Sequence, residues 1–574
     1  MRRLSLLIAV VALVVPLFAA NNSIPTVNQP LFPSSVKPGS AAFTLMVNGS
    51  AFAPGAVVNW NGIPLTTKFV NRSRLRATVP AANVAAPGTA TVTVTNPAPG
   101  GGTSFPVFFT VTTPSTSLTF AALPALTVGT TVTQVVAADF NNDGKMDLAV
   151  LNQGDEYTCD NGYNTVGSEY VSTFLGNGDG TFTAAGSLQA DCALLSEGSD
   201  FAITVADFNG DGRQDLAVSV FGTICCIDYG RFAVVYLGNG DGTFGPLPTD
   251  VLGVGYGLGI ATAGDFNHDG EMDLAMEGGD LGSFLFVFEG KGDGTFPGGA
   301  ETGLNPGTSG EGSWIVAGDF NGDGILDIVL PPFDDGPNIL LGVGDGTFTT
   351  VTSQPTTISA APVVGDFNAD GNLDLISATA VLLGNGDGTF SEQNENISGS
   401  LTADLNGDGK LDMLGNGPIF LGNGDGTFQS GLDIGFSGTQ VAVADFNGDG
   451  RLDLVTLNSP NTITILLQAP AAVALPGSLK FGKLAVGKTS KPLRVSLTNP
   501  GSAALHLSGF IASGDFAQTN NCGEILPLGQ TCSIQVVFRP TEFGLRTGNI
   551  TIFDNASDSP QVIQLTGTGA AGFD

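Results

Sequence analysis

The sequence predicts an all-β protein in which a seven-bladed β-propeller is carried between N- and C-terminal immunoglobulin-like β-sandwiches. Three observations support this prediction. A nine-residue Asp-rich motif occurs seven times, apolar runs typical of strands flank the copies, and both ends of the chain contain short strands punctuated by Pro and Gly. Because 574 residues are too many for one hydrophobic core, three domains are expected.

The repeated motif has the form D-x-N-x-D-G-x-x-D, and its nine positions are numbered 1 to 9 from here on. The seven copies, called loops 1 to 7, begin at Asp139, Asp207, Asp265, Asp319, Asp366, Asp404 and Asp445. A second string close to LGNGDGTF follows the first six and begins at Leu175, Leu237, Glu289, Leu341, Leu383 and Leu421. Each period can hold two strands joined by the motif, a third strand, a Gly-rich turn and a fourth strand, which is one propeller blade. A metal-binding β-helix would repeat about every nine residues, so the spacing excludes it.

The seventh loop has no such string after it, and its missing fourth strand is predicted to lie before the first loop. We expect residues 118–128 to pair with residues 462–468 and to close the ring, because closure removes exposed sheet edges. The predicted boundaries are a signal peptide at 1–20, an immunoglobulin-like domain at 21–114, the propeller at 115–469 and a second immunoglobulin-like domain at 470–574.

The first twenty residues have the pattern of a secretory signal peptide, with Arg2 and Arg3, an apolar run to Phe18, and small residues at Ala19 and Ala20. An uncleaved membrane anchor is the alternative, but the apolar run is short for a spanning helix. We therefore expect a secreted or cell-surface protein that does not span the membrane. The net charge of −33 predicts no binding to nucleic acid or anionic lipid, whose phosphates would be repelled.

Oxygen-bearing side chains at positions 1, 3, 5 and 9 predict a structural Ca²⁺ site in each of the seven loops, because Ca²⁺ prefers oxygen ligands. Position 7 would add its backbone carbonyl, and the Gly at position 6 allows a left-handed turn around the ion. The predicted ligands are Asp139, Asn141, Asp143, Lys145, Asp147, Asp207, Asn209, Asp211, Arg213, Asp215, Asp265, Asn267, Asp269, Glu271, Asp273, Asp319, Asn321, Asp323, Ile325, Asp327, Asp366, Asn368, Asp370, Asn372, Asp374, Asp404, Asn406, Asp408, Lys410, Asp412, Asp445, Asn447, Asp449, Arg451 and Asp453. An EF-hand is excluded because its helices and its Glu at position 12 are missing, and Mg²⁺ is less suited because it retains water. A set of metal-free Asx turns is the alternative.

Calcium is expected to be structural first, since seven ions would add +14 and change the net charge from −33 to −19. The Phe at position 2, which is Leu405 in loop 6, is interpreted as packing between blades. In the LGNGDGTF strings, tight turns explain Asn-Gly and Asp-Gly better than a role in metal binding does.

Six cysteines in an exported chain predict disulfide bonds. Cys522 and Cys532 are expected to pair, because only a short loop has to close. The pairing of Cys159, Cys192, Cys225 and Cys226 is left open: Cys159 or Cys192 with Cys225 or Cys226, or Cys159 with Cys192. A bridge between the adjacent Cys225 and Cys226 is less favoured, because it strains the peptide between them.

A ligand-binding surface is predicted on the face opposite the metal loops, where the long insertions of the first two periods should lie. All six tyrosines fall in these periods, and Tyr157, Tyr163, Tyr229 and Tyr256 are the candidate contacts. The alternative is that the tyrosines only pack, which is expected first for Tyr170 and Tyr236 on third strands.

No catalytic site is predicted. The two histidines are His268, expected to point outward at position 4 of loop 3, and His506 in the last domain, so no Ser-His or Cys-His arrangement is expected. Bound metal would lower the pKa of the loop carboxylates and make them poor general acids. Free carboxylates such as Asp155, Glu156 and Glu169 leave a glycosidase or lyase as an alternative.

The repeats resemble the FG-GAP/VCBS repeats of integrin α-subunit propellers and their bacterial relatives, through the seven motif copies between about 118 and 468. The first domain resembles IPT/TIG immunoglobulin-like domains through VNGSAFAPGAVVNWNG and the VPA and PGTATVTV strings. The last domain resembles immunoglobulin-like domains of the ASPM/SPD-2/Hydin type through LTNPGSAAL, CGEILPLGQTCSIQVVFRP and LTGTG. The integrin resemblance implies a fold and a role for metal, but no ligand, because nothing matches an integrin's recognition surface.

The sequence therefore predicts an exported calcium-binding adhesion or scaffold protein whose propeller is a platform for a protein or glycan ligand. A lectin or a carbohydrate-active enzyme that uses the face opposite the calcium loops is the alternative.

Overall fold

Strands dominate the part of the chain that the structure describes, and its other regular element is a short 3-10 helix at Ala81–Val84. The computed structural model describes residue 22 and residues 24–571 except 87, 116–117, 130, 154–156, 159–163, 166–168, 190–193, 196–201, 225–228, 246–250, 256–260, 279–283, 304–313, 334–335, 352–360, 378–379, 394–396, 398, 415–416, 435–438, 470–472, 500–503, 528 and 557–558. The predicted signal peptide lies outside the described residues. Among those described, no helix has the length and apolarity needed to cross a membrane.

The N-terminal region forms two sheets that share one core. Its strands are β1 (Thr26–Val27), β2 (Ser35–Val36), β3 (Phe43–Ser50), β4 (Val57–Trp60), β5 (Ile63–Pro64), β6 (Thr66–Asn71), β7 (Arg74–Val79), β8 (Gly88–Asn96), β9 (Gly102–Thr103) and β10 (Val107–Val111). One sheet has the order β1-β3-β7-β6, and the other has the order β2-β10-β8-β4-β5 with β9 beside β8. Trp60 and Phe109, with ring centroids 5.1 Å apart, are buried between the two sheets. The arrangement agrees with the predicted immunoglobulin-like sandwich.

The repeat region consists of a series of small sheets. Its strands are β11 (Phe120–Ala122), β12 (Leu126–Thr127), β13 (Thr131–Ala138), β14 (Asp147–Gln153), β15 (Tyr157–Thr158), β16 (Asn164–Thr165), β17 (Glu169–Gly176), β18 (Phe182–Gln189), β19 (Leu194–Leu195), β20 (Ala202–Ala206), β21 (Asp215–Ile224), β22 (Tyr229–Tyr236), β23 (Val251–Gly255), β24 (Ala261–Gly264), β25 (Asp273–Gly278), β26 (Phe284–Glu289), β27 (Gly298–Gly303), β28 (Val316–Gly318), β29 (Asp327–Phe333), β30 (Gly336–Gly342), β31 (Phe348–Thr350), β32 (Val363–Gly365), β33 (Asp374–Ser377), β34 (Ala380–Gly384), β35 (Phe390–Gln393), β36 (Leu401–Ala403), β37 (Asp412–Leu414), β38 (Thr439–Ala444), β39 (Asp453–Ser459) and β40 (Thr462–Gln468). The sheets that carry loops 1 to 7 are called sheets 1 to 7.

Each loop joins the first two strands of its sheet, and the aspartate at position 9 begins the second strand. Sheets 1, 3, 4 and 5 have four antiparallel strands in chain order, as predicted, and sheet 2 adds β19 beside β21. Sheet 6 is reduced to β36 and β37, and its outer part consists of single bridges such as Met413 with Phe420 and Ile419 with Leu432.

The predicted pairing of the first and last parts of the repeat region is confirmed. β11 and β12 both pair antiparallel with β40, with Phe120 opposite Gln468 and Leu126 opposite Ile463. The segment before loop 1 therefore completes the sheet that carries loop 7. Its strand order is β11-β40-β39-β38, with β12 also on β40.

Successive sheets are joined by hydrophobic cores, each shared by two neighbours. Cores link sheets 1 and 2, 2 and 3, 3 and 4, 4 and 5, 5 and 6, 6 and 7, and finally 7 and 1. The Phe at position 2 of a loop contacts the Phe that ends the LGNGDGTF-type string of the next sheet. The ring centroids are 5.7–6.0 Å apart in the pairs Phe140–Phe244, Phe208–Phe296, Phe266–Phe348, Phe320–Phe390, Phe367–Phe428 and Phe446–Phe182. Leu405 replaces the Phe in loop 6 and packs with Phe120. The interpretation of position 2 as packing between sheets is confirmed.

The C-terminal region also forms two sheets around a common core. Its strands are β41 (Val473–Leu475), β42 (Ser478–Ala485), β43 (Leu493–Thr498), β44 (Leu505–Ala512), β45 (Phe516–Asn520), β46 (Ile525–Leu526), β47 (Thr531–Phe538), β48 (Gly544–Asp554) and β49 (Gln561–Ala570). The orders are β41-β43-β47-β45 and β42-β49-β48-β44-β46. The predicted disulfide between Cys522 and Cys532 is present and lies in this core.

The contact between neighbouring sheets can be tested at Phe208, which is 1% exposed and packs on Phe296. We expect Phe208→Ala to lower the free energy of unfolding by about 3–5 kcal/mol, because it leaves a cavity between sheets 2 and 3. Phe208→Leu introduces the residue type that loop 6 carries and should cost no more than about 1.5 kcal/mol. Denaturant unfolding followed by circular dichroism measures both, and equal losses would contradict the packing role.

Candidate metal centre

Hydrogen bonds within the motif give all seven loops the same local structure. The side-chain oxygen at position 3 accepts the N–H of position 5 at 2.8–3.0 Å. The carboxylate at position 5 accepts the N–H of position 7 at 2.8–3.1 Å. The position-6 glycines have φ between 79° and 93°, a conformation that side chains with a Cβ rarely adopt. The Asn, Asp and Gly of the motif therefore shape the backbone before any ion is considered.

The aspartate at position 9 is completely buried in every loop and connects two segments of the chain. Its Oδ2 accepts the N–H of position 2 at 2.8–3.1 Å. Its Oδ1 accepts an N–H at the end of the third strand at 2.7–3.0 Å. We call this arrangement the position-9 clasp. It was not predicted, although the equal placement of this Asp at the start of each second strand was visible in the repeat.

In the first six sheets the donor to Oδ1 is the first glycine of the LGNGDGTF string. A Cβ on this glycine would lie 2.1–2.3 Å from the carbonyl oxygen of position 8, as for Gly290 and Met272 O or Gly384 and Leu373 O. Glycine is therefore required here for close backbone approach. In sheet 7 the donor is Gln468, whose side-chain amide donates to Leu452 O at 2.8 Å.

Burial raises the pKa of the position-9 carboxylates in all seven loops and of the position-1 carboxylates in loops 1 to 6, because desolvation outweighs the N–H donors. At position 9 the pKa is raised to about 6 for Asp147, to about 7 for Asp215, Asp273, Asp327 and Asp374, and well above its ordinary value for Asp412 and Asp453. At position 1 it is raised for Asp139, Asp207, Asp319 and Asp366, to about 7 for Asp265 and to about 6 for Asp404. A bound cation would offset the desolvation, so the lowering of these pKa values by metal stays a prediction.

The position-1 aspartates differ in how their oxygens are satisfied. In loops 1, 2, 5, 6 and 7 both oxygens accept N–H groups of the same loop. In loop 4 only Oδ2 of Asp319 is bonded. In loop 3 neither oxygen of Asp265 makes a hydrogen bond of good geometry, although the residue is 1% exposed; the backbone N–H groups of Gly270 and His268 lie close enough only to oppose the rise in its pKa. A buried carboxylate without donors is costly unless it binds a proton or a cation.

The predicted ligands all lie on these loops, but their side chains are engaged mainly with backbone N–H groups. Across the described residues, no group of three or more His, Cys, Asp and Glu side chains is gathered closely enough to hold a metal ion. The donor set contains only oxygen, and the unsatisfied oxygens of Asp265 and Asp319 are chemically suited to a hard cation. Calcium binding therefore stays a prediction whose donors the loops supply.

The turns of the LGNGDGTF strings are explained by their own hydrogen bonds, as predicted. The aspartate Oδ1 accepts both the N–H and the hydroxyl of the Thr two residues later, as in Asp179 with Thr181 at 2.9 and 2.5 Å. The same pattern occurs at Asp241, Asp293, Asp345, Asp387 and Asp425. These bonds lower the pKa of the exposed carboxyls, so the turns are complete without a metal.

The N-terminal sandwich lies against the loops, which the sequence did not predict. Ser73 donates to Asp319 at 2.8 Å, Ser35 donates to Asp404, and Arg72 donates to the carbonyl oxygen of His268 at 2.9 Å. The expectation that His268 points outward is wrong: its side chain is half buried, and its Nδ1 has no hydrogen-bond partner. The packed sandwich and the neighbouring turn cover it.

Most of the predicted ligand surface falls outside the described residues. This applies to Tyr163, Tyr256, Cys159, Cys192, Cys225 and Cys226, and also to Asp155 and Glu156. Tyr157, Tyr229 and Glu169 begin β15, β22 and β17, and the backbone alone is described there. Tyr236 is 3% exposed in the core between sheets 1 and 2, so for this residue the packing alternative is confirmed.

Comparison with known families identifies two parts of the chain. An FG-GAP-like repeat model matches residues 162–218, 224–276, 278–330 and 404–456, and an IPT/TIG domain model matches residues 30–111. These matches confirm the resemblances stated for the repeats and for the first domain. Together they point to an extracellular, β-rich adhesion or binding protein. The comparison with curated proteins gave no match.

Solved structures similar to the chain include two lyases and one small domain. A rhamnogalacturonan lyase of Bacillus licheniformis has 14% identity over 78% of this chain and 91% of that one, with a TM-score of 0.40. The rhamnogalacturonan lyase YesW has 12% identity over 78% and 91%, with a TM-score of 0.39. The ASH/PapD-like domain of human CEP192 has 12% identity over 18% of this chain and 89% of that one, with a TM-score of 0.15. At these scores the likeness assigns no activity or ligand, and the ASPM/SPD-2/Hydin resemblance of the last domain stays a prediction.

The position-9 clasp can be tested through its glycine. We expect Gly290→Ala to lower the free energy of unfolding by about 1–3 kcal/mol or more, because the new Cβ would lie 2.1 Å from Met272 O. Gly298→Ala in the same sheet has open space around its Cβ and should change stability by less than about 0.5 kcal/mol. Thermal melts compare the two variants, and a neutral Gly290→Ala would show that the backbones need not approach so closely.

Proposed function

We propose that residues 118–468 form a closed seven-bladed β-propeller, stabilised by calcium, that acts in an extracellular adhesion or scaffold protein as the platform for a protein or glycan ligand. The observation that carries the architecture is the cyclic order of the shared cores, which ends with a core between sheets 7 and 1. The pairing of β11 with β40 supports it, since the first and last parts of the region share one sheet.

Calcium is supported by the state of Asp265, whose two buried oxygens make no hydrogen bond of good geometry. The side chains at positions 1, 3, 5 and 9 and the carbonyl of position 7 would hold the ion. A bound Ca²⁺ would supply the positive charge that the buried carboxylates of each loop lack. With a dissociation constant of about 10⁻⁴ M and millimolar calcium, each site would contribute about 1.4 kcal/mol, and seven independent sites about 10 kcal/mol.

The ligand surface is proposed on the face opposite the loops. The loop face is partly covered by the N-terminal sandwich, as the contacts of Ser35, Ser73 and Arg72 demonstrate. In a four-stranded sheet with strands in chain order, the first and third turns share one end and the second turn lies at the other. By chain order, the insertions that carry Tyr157, Tyr163, Tyr229 and Tyr256 would belong to that other end. Disulfides among the four cysteines there would pre-order the surface and lower the entropy cost of binding.

Removal of calcium should destabilise the protein. We expect a chelator to lower the melting temperature by about 10 °C at matched ionic strength, since seven sites together stabilise the folded state. Asp265→Ala should reduce this calcium-dependent shift, whereas Asp293→Ala, in an exposed turn of the same sheet, should leave it unchanged. Scanning calorimetry with Ca²⁺, Mg²⁺ and chelator measures the effect. A melting temperature that does not depend on calcium would refute the structural role.

The ligand class can be tested on a glycan array, with and without chelator, together with an assay for released products. Binding without turnover supports the platform, and its loss in the chelator would tie it to the folded propeller. Replacing Tyr157, Tyr163, Tyr229 and Tyr256 together by Ala should abolish binding and leave the melt unchanged. Turnover of a bound saccharide would establish the enzyme alternative instead, and unchanged binding by the variant would place the surface elsewhere.

A further inference from the structure

The N-terminal sandwich and the loops have complementary charge. Residues 22–114 contain five basic residues and no acidic one, and the first acidic residue of the whole chain is Asp139 in loop 1. The basic residues are Lys37, Lys68, Arg72, Arg74 and Arg76. Arg72 is in direct contact with loop 3 through the carbonyl oxygen of His268. A domain of this charge is suited to the acidic end of the repeat region.

Three loops receive hydroxyl donors from the sandwich at the same atom. Oδ2 of the position-1 aspartate accepts Ser73 in loop 4 at 2.8 Å, Ser34 at 3.1 Å and Ser35 in loop 6, and Thr89 in loop 7 at 2.5 Å. The same Oδ2 also accepts the N–H of the position-6 glycine in each of these loops. Hydrogen bonds to a carboxylate are stronger than those between neutral groups. The sandwich therefore fixes the orientation of three position-1 carboxylates.

Loop 4 shows which oxygen is left available. Asp319 is 8% exposed, and its Oδ2 accepts Ser73 and Gly324, while its Oδ1 has no partner. The hydroxyl thus occupies one oxygen of the carboxylate and leaves the other unsatisfied in loop 4, whereas in loops 6 and 7 the other oxygen, Oδ1, accepts the N–H of position 5. A hydrogen-bond donor on Oδ2 can hold a metal-binding carboxylate in place without occupying the oxygen that would bind the ion.

The contact is close at several further points. Gly450 of loop 7 approaches Gly88, where an added Cβ would lie 2.9 Å from the Gly88 Cα. Phe32 packs against the core shared by sheets 5 and 6. The connection after the sandwich is also attached, because Ser115 N–H donates to Asn406 O at 2.8 Å. These contacts define one docked position for the sandwich.

We propose that the N-terminal sandwich is a cap whose hydroxyls position the position-1 carboxylates of loops 4, 6 and 7 for Ca²⁺, so that docking of the cap and binding of the ion strengthen each other. The inference rests on the calcium-binding loops proposed above. Because linkage is reciprocal, an orientation that raises calcium affinity must be matched by tighter docking when calcium is bound. Arg72 and Arg74 lie on the side of loops 3 and 4, where their charge opposes a cation. The increase in calcium affinity caused by the cap is therefore expected to be largest in loops 6 and 7.

The test uses the full chain and a cap variant that combines Ser34→Ala, Ser35→Ala, Ser73→Ala and Thr89→Val. Calorimetric titration of the chelator-treated protein with Ca²⁺ should show about 10–100-fold weaker binding at three of the seven sites, the range expected for loss of an outer-shell donor. The control variant combines Ser40→Ala, Thr95→Val and Thr103→Val, whose hydroxyls bond within the sandwich, and it should titrate like the wild type. Thr89→Ser keeps a hydroxyl and should retain loop 7 affinity.

Hydrogen exchange supplies a readout of docking. Calcium should increase protection of residues 34–35, 71–74 and 88–89 in the wild type, and much less in the cap variant. A cap variant that folds normally, and that titrates and exchanges like the wild type, would overturn the proposal while leaving the calcium role intact. A wild type that binds no Ca²⁺ would overturn both. Calcium binding with no change in exchange of the sandwich would overturn the linkage, and with it the proposed role of the cap in positioning the carboxylates.

Discussion

The rest of the repeat structure depends on a buried carboxylate that begins the second strand of every sheet. The position-9 aspartate accepts an N–H from its own loop and another from the end of the third strand, and it has no access to solvent. These two bonds hold the loop at the end of the sheet and bring the glycine that ends the third strand close to the carbonyl oxygen of position 8. Burial of the carboxylate raises its pKa, so the clasp orders the backbone at an electrostatic cost.

The clasp also orients the aromatic contacts between sheets. Its Oδ2 holds the N–H of position 2, and the side chain at that position is the Phe that packs on the next sheet. Each loop therefore bonds to its own sheet through the position-9 aspartate and packs on the neighbouring sheet through the position-2 Phe. Sheet 6 has Leu405 and, among its described residues, two regular strands, yet it remains connected through the same kinds of contact. Repetition of one local arrangement explains how sheets of unequal size follow one another in a cycle.

The two ends of the repeat region differ in their surroundings. At the loop end, a basic sandwich without acidic residues lies against aspartates that would otherwise repel one another. At the opposite end of sheet 1 the second strand ends at Gln153, which pairs with Glu169 at the start of the third strand. The proposed binding platform uses this second end, because the N-terminal sandwich lies against the loop end.

The sequence by itself determined the features that depend on local order along the chain. The seven motifs, the strands on either side of them, the self-contained turns at residues such as Asp179, the pairing of residues 118–128 with 462–468 and the Cys522–Cys532 bridge all follow from spacing and pattern. The roles of Asp327, Gly342 and Ser73 were decided only by the tertiary structure. Gly342 donates to Asp327, 15 positions away, and Ser73 donates to Asp319, 246 positions away. The burial that these contacts produce raises the pKa of both aspartates. Local periodicity identifies an aspartate as an oxygen donor, but whether that oxygen faces an N–H, a hydroxyl of another domain or no donor at all depends on which distant segments pack around it.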